Sequence, residues 1–284
     1  MVFFEELKKI LLSHGVELFA PIPLKSCKIQ KKYLLEKAGI EDGTVIICAV
    51  PYLSKNMLGN HNISAYCAVR DYHGFFDELW KDTCFKLSAL FESSKFAGFA
   101  DHSPIDERDA ALRAGIGIMG DNGMIITEKY SSYVFLGEII TDIIIDTEEK
   151  EPQHCIGCKK CLNACPMSEL GDCLSAITQK KGELTASEAD AMRKYDTVWG
   201  CDICQRVCPY TESAIKSGSI FTNIEYFLTD VIPDLDIDIL NSLNDKAFSE
   251  RAFSWRGRKT VIRNLKISKS DGIIPSNEQR KDLK

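Results

Sequence analysis

The sequence predicts an α/β (α+β) domain, then a small cysteine-rich module, and finally a helical C-terminal segment. Residues 44–52 (TVIICAVPY) form a continuous apolar run after Gly43, as expected for a buried strand. Other stretches repeat apolar residues at helical spacing, and eight of the twelve cysteines lie between Cys155 and Cys208. We therefore place the three parts at residues 1–150, 151–215 and 216–284.

Apolar periodicity predicts the elements in order. Helical spacing begins the chain, and a strand at residues 44–52 follows. Two further helices are expected at 64–80 and 82–93. After them, strands are expected at 96–100, 124–127 and 133–145, with a helix at 107–114 between the first two strands. The acidic run 146–151 reads as a linker. Helices at 223–228, 237–243 and 255–265 are expected to return to the first domain, and residues 271–284 to be frayed.

Composition places the chain among ordinary globular proteins. Its 284 residues are 45% hydrophobic and 27% charged, and the net charge is −6. No stretch approaches the roughly 18 apolar residues of a membrane span, and the charged opening MVFFEELKKI does not resemble a secretion signal. We expect a cytoplasmic protein without a membrane partner. The basic segment from Arg251 to Lys269 is interpreted as solvated surface rather than a nucleic-acid site.

The cysteine spacing predicts two 4Fe–4S clusters. One run reads Cys-x2-Cys-x2-Cys-x3-Cys-Pro from Cys155, and the other reads Cys-x2-Cys-x3-Cys-Pro from Cys201. In two-cluster ferredoxins the cysteine after the x3 gap ligates the other cluster. The first cluster is therefore assigned to Cys155, Cys158, Cys161 and Cys208. The second is assigned to Cys165, Cys201, Cys204 and, as the nearest remaining thiol, Cys173.

Disulfides and zinc are the alternatives to iron. Disulfides belong to oxidising compartments, which the N-terminal sequence does not indicate. A zinc site closes at four ligands, whereas these two runs supply seven or eight. Iron–sulfur chemistry is therefore favoured over both.

Two further patterns in the first domain carry weaker signals. Gly115, Gly117 and Gly120 match G-x-G-x-x-G, but a helix precedes them and a strand follows, which inverts the order of a dinucleotide site. Asp101 follows the strand at 96–100, where ligands bind in open α/β sheets, although such an aspartate is more often a turn residue. His73 alone would usually be a packed or solvated histidine.

Several separated stretches resemble the epoxyqueuosine reductase family, over roughly residues 44–265. The stretches are Tyr66-x4-Asp71-Tyr72-His73, Ala100-Asp101-His102-Ser103-Pro104 with Glu107-Arg108, Ala114-Gly115-Ile116-Gly117, the run 132–141 (SYVFLGEIIT), both cysteine runs, and an echo from Trp255 to Asn264. A generic ferredoxin would supply the cysteines without the rest. The chain resembles a short form, because it stops where that family's C-terminal helical repeats begin.

The resemblance implies a nitroreductase-related domain that holds base-off cobalamin beside two 4Fe–4S clusters. It implies that Asp101 is the proton donor, with a pKa raised in a dry pocket, and that Cys173 is a cluster ligand. It also implies cofactor contacts at Tyr66, His73, Gly115, Gly117 and Tyr133. The sequence contains no Asp-x-His-x-x-Gly motif, which is compatible with base-off binding.

The leading hypothesis is thus a cobalamin-dependent and iron–sulfur-dependent reductase that deoxygenates epoxyqueuosine in tRNA. Its partners would be tRNA and a small redox donor such as flavodoxin or ferredoxin. Two alternatives stay open at this point: a corrinoid reductase of a small molecule, and a non-catalytic ferredoxin-type electron carrier.

Overall fold

The computed structural model describes residues 2–168 and 171–269, and the tail expected to be frayed at 271–284 lies outside them. Its strands are β1 Leu18–Pro23, β2 Thr44–Pro51, β3 Phe96–Phe99, β4 Ile118–Met119, β5 Ile125–Ile126 and β6 Val134–Thr141. Its helices are α1 Val2–Ser13, α2 Lys32–Ala38, α3 Ala65–Ala68, α4 Tyr72–Leu90, α5 Glu107–Arg113, α6 Lys160–Ala164, α7 Leu174–Thr178, α8 Ala186–Lys194, α9 Ile203–Arg206, α10 Pro209–Ser217, α11 Glu225–Leu228, α12 Ile237–Ser242, α13 Asp245–Ser249 and α14 Arg258–Lys269.

The main sheet has four strands in the order β1-β2-β6-β3, and every neighbouring pair is antiparallel. The mixed α and β class is confirmed, but this sheet is not the open parallel type from which the position of Asp101 was argued. β4 and β5 form a separate two-stranded ribbon.

Strand β2 separates two hydrophobic cores. All eight of its residues are buried, which confirms the buried strand expected from the continuous apolar run. Side chains alternate between faces along a strand, so Ile46 and Cys48 enter the core beneath α1 and α4, while Val45 and Ile47 enter the core beneath α2 and α5. The sheet is therefore the middle layer of three.

Helix α4 replaces the two helices expected at 64–80 and 82–93. Asp71 ends the first stretch because its carboxylate accepts a hydrogen bond from the backbone N–H of His73, and so caps a new helix. The sequence from Tyr72 to Leu90 contains no proline, and the helix continues without a break. The prediction was wrong at residue 81, where no capping residue or breaker occurs.

Glycine is required where α4 crosses the sheet. A Cβ atom at Gly137 would lie 2.4 Å from Cε1 of the buried Phe76. A side chain at this position would push the helix away from β6, so close packing of helix and strand depends on its absence.

The C-terminal segment shares the first domain's main core, to which it contributes Phe227, Leu240, Phe253 and Leu265. The cysteine module has a small core of its own, formed by Met167, Leu174, Ile177 and Met192. Within residues 2–168 and 171–269, none of the helices has the length and apolar character needed to cross a bilayer.

Asn264 joins the C-terminal segment to the cysteine module. Its fully buried side-chain amide donates to the carbonyl oxygens of Thr178, at 2.7 Å, and Val198, at 2.8 Å. Both carbonyls belong to segments that flank the second cysteine run, so this amide fixes α14 against the module.

Replacing this amide should destabilise the fold. We expect Asn264→Ala to lower the free energy of unfolding by about 1–3 kcal/mol, because buried carbonyls lose a donor. Urea unfolding followed by circular dichroism measures the change. Lys266→Ala, at an exposed position of the same helix, should stay within about 0.5 kcal/mol of the wild type. Equal stability of all three proteins would contradict this role for Asn264.

Candidate active site

The first thiol group consists of Cys155, Cys158, Cys161 and Cys208. The four border one common space of about 310 Å³, which Asp121, Asn122, Lys159 and Tyr210 also line. Cys208 arrives from the second run and caps α10, whose first residue is Pro209. Four thiols from two distant segments therefore face one space, as the x2 and x3 spacing predicts.

Left-handed backbone shapes the loop that carries this group. Gly157 has φ 66° and Lys159 has φ 60°, so the chain curls between successive cysteines. The Lys159 ammonium lies 3.2 Å from the carboxylate of Asp121. Burial raises the pKa of the Cys161 thiol, and the nearby Asp121 adds to that effect.

The second thiol group consists of Cys165, Cys173, Cys201 and Cys204. Cys204 interacts electrostatically with Cys173 and Cys165, and Cys201 interacts with Cys204 and Cys173. Burial raises the pKa of Cys201 to about 12 and that of Cys204 to about 11. Cys173 therefore lies close enough to Cys201 and Cys204 to interact with them, and its role as a ligand stays a prediction.

Buried polar contacts hold the cysteine module against the first domain. Asp202 accepts a 2.6 Å hydrogen bond from the backbone N–H of Ala65, and Gln205 accepts one at 2.9 Å from the Ser132 hydroxyl. The hydroxyls of Ser131 and Thr211 are 2.7 Å apart. All three contacts lie beside Cys201, Cys204 or Cys208 in the chain, and so position the second cysteine run.

Asp101 lies in a tight turn after β3. The backbone N–H of His102 donates to the carbonyl of Ala100 at 2.6 Å, and Asp101 between them has φ 61°. A γ-turn with positive φ at its centre is a strained conformation that non-glycine residues rarely adopt. The Asp101 side chain is 70% exposed, so any dry surroundings for this carboxyl must come from what binds over it.

A histidine and two aromatic rings form a wall beside this turn. His73 Nδ1 donates to Asp71 at 2.7 Å, and its Nε2 lies 3.7 Å from the Asp101 carboxylate. The bond with Asp71 is the main cause that raises the pKa of His73. Tyr72 stacks on His73 and Phe135, with centroid distances of 4.2 and 4.4 Å. The structure thus brings His73 and Asp101 together, although neither stood out by its own sequence context.

A turn at residues 120–123, here named the bridging turn, connects the Asp101 side to both thiol groups. Arg108, on α5, donates to the carbonyl of Gly123 at 3.2 Å. The side chain of Asn122 lowers the pKa of the Cys204 thiol and also lines the space of the first thiol group. The turn therefore adjoins both α5 and the thiol groups.

The other predicted cofactor contacts have structural roles of their own. Gly115 ends α5 with φ 74°, and a Cβ atom at Gly117 would lie 2.5 Å from the carbonyl oxygen of Ile126. Tyr133 is buried edge-to-face against Tyr52 at 5.8 Å. Tyr66 is half-buried, with its hydroxyl 3.4 Å from the amide of Gln179. Cofactor contact by these four residues stays a prediction.

The remaining cysteines and the basic segment serve the fold. Cys27, Cys48 and Cys67 are buried free thiols, a common environment for this small side chain, and Cys84 is half-buried. In the basic segment, Arg251 is buried, and Arg258 and Arg263 donate to backbone carbonyls. These three guanidinium groups therefore have contacts within the protein rather than extending freely into solvent.

Two acids near Asp101 were not recognised from sequence. Glu107 begins α5, and Glu138 lies on β6, fully buried. The available signal was a single glutamate within the apolar run of residues 133–145, a position where a buried carboxyl requires an explanation.

Comparison with known proteins agrees with both halves of this arrangement. A family profile described as "4Fe-4S binding domain" matches residues 152–168. The epoxyqueuosine reductase of Gloeobacter violaceus is 30% identical over 218 residues, which cover 74% of this chain and 67% of that protein. The chain spans about half to two thirds of the length of the curated relatives that it matches.

Solved structures share the fold. Epoxyqueuosine reductase from Streptococcus thermophilus superposes with a TM-score of 0.75 at 26% identity, covering 94% of this chain and 81% of that one. A second epoxyqueuosine reductase, crystallised with a modified tRNA-Tyr stem loop, has a TM-score of 0.71 at 24% identity and covers 94% and 80% of the two chains.

Removing the long-range thiol should affect one thiol group selectively. We expect Cys208→Ser to reduce the iron content from about eight to about four atoms per chain, because one cluster loses its fourth thiolate. Iron and acid-labile sulfide analysis after anaerobic reconstitution measures the loss. Cys84→Ser, at a half-buried position on α4, should keep the full content. Full iron in Cys208→Ser would contradict the assignment.

Proposed function

The chain belongs to the epoxyqueuosine reductase family, and we propose that it is a cobalamin-dependent and iron–sulfur-dependent reductase that removes the epoxide oxygen of an epoxyqueuosine substrate. The observation that carries this proposal is the bridging turn, whose residues contact α5 on one side and both thiol groups on the other. This supports a site in which both thiol groups and helix α5, whose first residue Glu107 accepts from the Asp101 amide, adjoin one short segment.

The thiols fit two 4Fe–4S clusters. Each group contains four cysteines, and each draws them from both cysteine runs or the segment between them. Such clusters supply single electrons at low potential. The residues themselves set the surroundings: Asp121 places a negative charge beside the first group, and Asp202 lies between Cys201 and Cys204 close to the second.

The residues beside Asp101 fit a flat cofactor such as base-off cobalamin. The stacked rings of Phe135, Tyr72 and His73 form an apolar wall that a corrin ring could lie near. Cobalamin supplies a strongly reducing cobalt centre that can open an epoxide. The sequence contains no Asp-x-His-x-x-Gly motif, which is compatible with binding without a histidine ligand to cobalt.

Asp101 is the residue that we expect to donate a proton to the departing oxygen. Deoxygenation of an epoxide consumes two electrons and two protons, and yields an alkene and water. The exposed carboxyl of Asp101 projects from the turn and lies close to His73, whose imidazole can return a proton to it. A small redox donor, such as flavodoxin or ferredoxin, would supply the electrons.

The role of Asp101 can be tested by a substitution that removes its acidic group but keeps the size of the side chain. We expect Asp101→Asn to keep about eight irons and a full complement of corrinoid while turnover falls by roughly 10²- to 10⁴-fold. Asparagine tolerates the positive φ, so the turn itself should survive. Asp230→Asn changes another aspartate with positive φ, 55° in this case, and should leave turnover unchanged. An active Asp101→Asn enzyme would remove this residue from the mechanism.

The substrate class needs a separate experiment. We expect epoxyqueuosine-modified tRNA to be reduced by the reconstituted protein and to bind more weakly as salt increases. The substrate class is suggested by a solved neighbour that is described with such a stem loop. Reduction of the free nucleoside alone would instead favour a small-molecule reductase. Failure to retain hydroxocobalamin on gel filtration would favour a ferredoxin-type electron carrier.

A further inference from the structure

The backbone N–H at the centre of the strained turn is bound by a side chain from outside the turn. The backbone N–H of Asp101 donates to the carboxylate of Glu107 at 3.2 Å. Glu107 is the first residue of α5 and is half-buried, so the acceptor is fixed by a helix rather than by a loop. This contact ties the proposed proton donor to the layer beneath the sheet.

Glu138 lies beneath Glu107 in the apolar interior. It occupies β6 opposite Phe99, two residues before Asp101, and is completely buried. Its Oε1 accepts a hydrogen bond from the Ser103 hydroxyl, and that hydroxyl accepts from the backbone N–H of Ile105. Among the described residues, its Oε2 has no hydrogen-bond partner, and Glu107 is the ionisable group that interacts with it most strongly.

We propose that Glu107 is a positioning residue that holds the Asp101 turn, and that Glu138 supports it by presenting a proton to the Glu107 carboxylate. In this arrangement Ser103 donates to Glu138, Glu138 supports Glu107, and Glu107 accepts from the Asp101 amide. The inference deepens the proposed function, on which the catalytic part of its test rests.

The charges around the pair are consistent with one shared proton. Burial raises the pKa of Glu107 to about 7. The hydrogen bond from the Asp101 amide and the interaction with Glu138 lower this pKa, the charge of Asp101 raises it, and the charge of Lys31 lowers it. Burial, followed by repulsion from Glu107, raises the pKa of Glu138 well above its usual value. We infer that Glu107 is the member of the pair that ionises as pH rises, and that its carboxylate is the acceptor for the Asp101 amide.

This order of ionisation predicts how the turn responds to pH. An ionised acceptor makes a stronger hydrogen bond than a neutral one. Protection of the Asp101 amide should therefore increase as pH rises through about 7. Glu107→Gln keeps an oxygen acceptor but cannot ionise, so its protection should be intermediate and independent of pH.

Hydrogen exchange on the reconstituted protein tests the positioning role without any reaction. We expect Glu107→Ala to increase exchange in the segment 99–106 by roughly tenfold or more, as a charge-assisted hydrogen bond is lost. Asp109→Asn, in the same turn of α5 but paired with Arg113, should match the wild type. Unchanged exchange in Glu107→Ala would overturn the proposal.

Kinetics test the same residue through turnover. Glu107→Ala should lower kcat by roughly 10- to 100-fold with less than about a threefold change in KM, and Glu107→Gln should recover part of the loss. Iron and corrinoid content should not change. Glu138→Gln, whose amide still donates, should resemble the wild type more than Glu138→Leu does.

The two readouts separate this inference from the proposed function. Faster exchange in Glu107→Ala together with an active Asp101→Asn enzyme would retain the positioning contact and reject the catalytic role of Asp101. Wild-type exchange and wild-type kcat in Glu107→Ala would reject the positioning contact even if Asp101→Asn is inactive.

Discussion

The site depends on a few buried hydrogen bonds that dock the cysteine module onto the sheet domain. Asp202 accepts from the backbone N–H of Ala65, and Gln205 accepts from Ser132. Asn264 donates to the carbonyls of Thr178 and Val198. A buried polar group left without its partner costs about 1–3 kcal/mol, so each contact resists displacement of the module. Because Asp202 and Gln205 follow Cys201 and Cys204 in the chain, the contacts that secure the module also position the second cysteine run.

The thiol groups could be predicted from sequence because their geometry is local. Gaps of two residues turn neighbouring side chains to one point, and a gap of three followed by proline turns the next one away. In the structure Cys208 lines the same space as Cys155, and Cys173, which lies outside both runs, interacts with Cys204. The antiparallel sheet order could not be obtained in this way, because apolar periodicity identifies strands but not their neighbours.

The Asp101 side of the site is a different case. Its residues come from β3, α4, α5 and β6, and single-sequence patterns carry no information on how these elements meet. Asp101 and His73 became candidates through family resemblance, whereas Glu107 and Glu138 acquire meaning only from their proximity. Glu138 is an unusual residue in an apolar strand, but its proximity to Glu107 on α5 is seen only in the folded chain.

The energies at the Asp101 turn are closely balanced. A non-glycine residue with φ 61° costs about 1–3 kcal/mol, and a hydrogen bond to a charged group contributes about 1.5–3 kcal/mol. Since the two are of similar size, packing alone does not decide whether the turn persists. The deciding factor is whether an ionised acceptor lies beneath the Asp101 amide. Glu107 can be that ionised acceptor if the buried acid next to it, Glu138, stays protonated. Two charged carboxylates in this region would repel each other, whereas a neutral Glu138 adds no second charge.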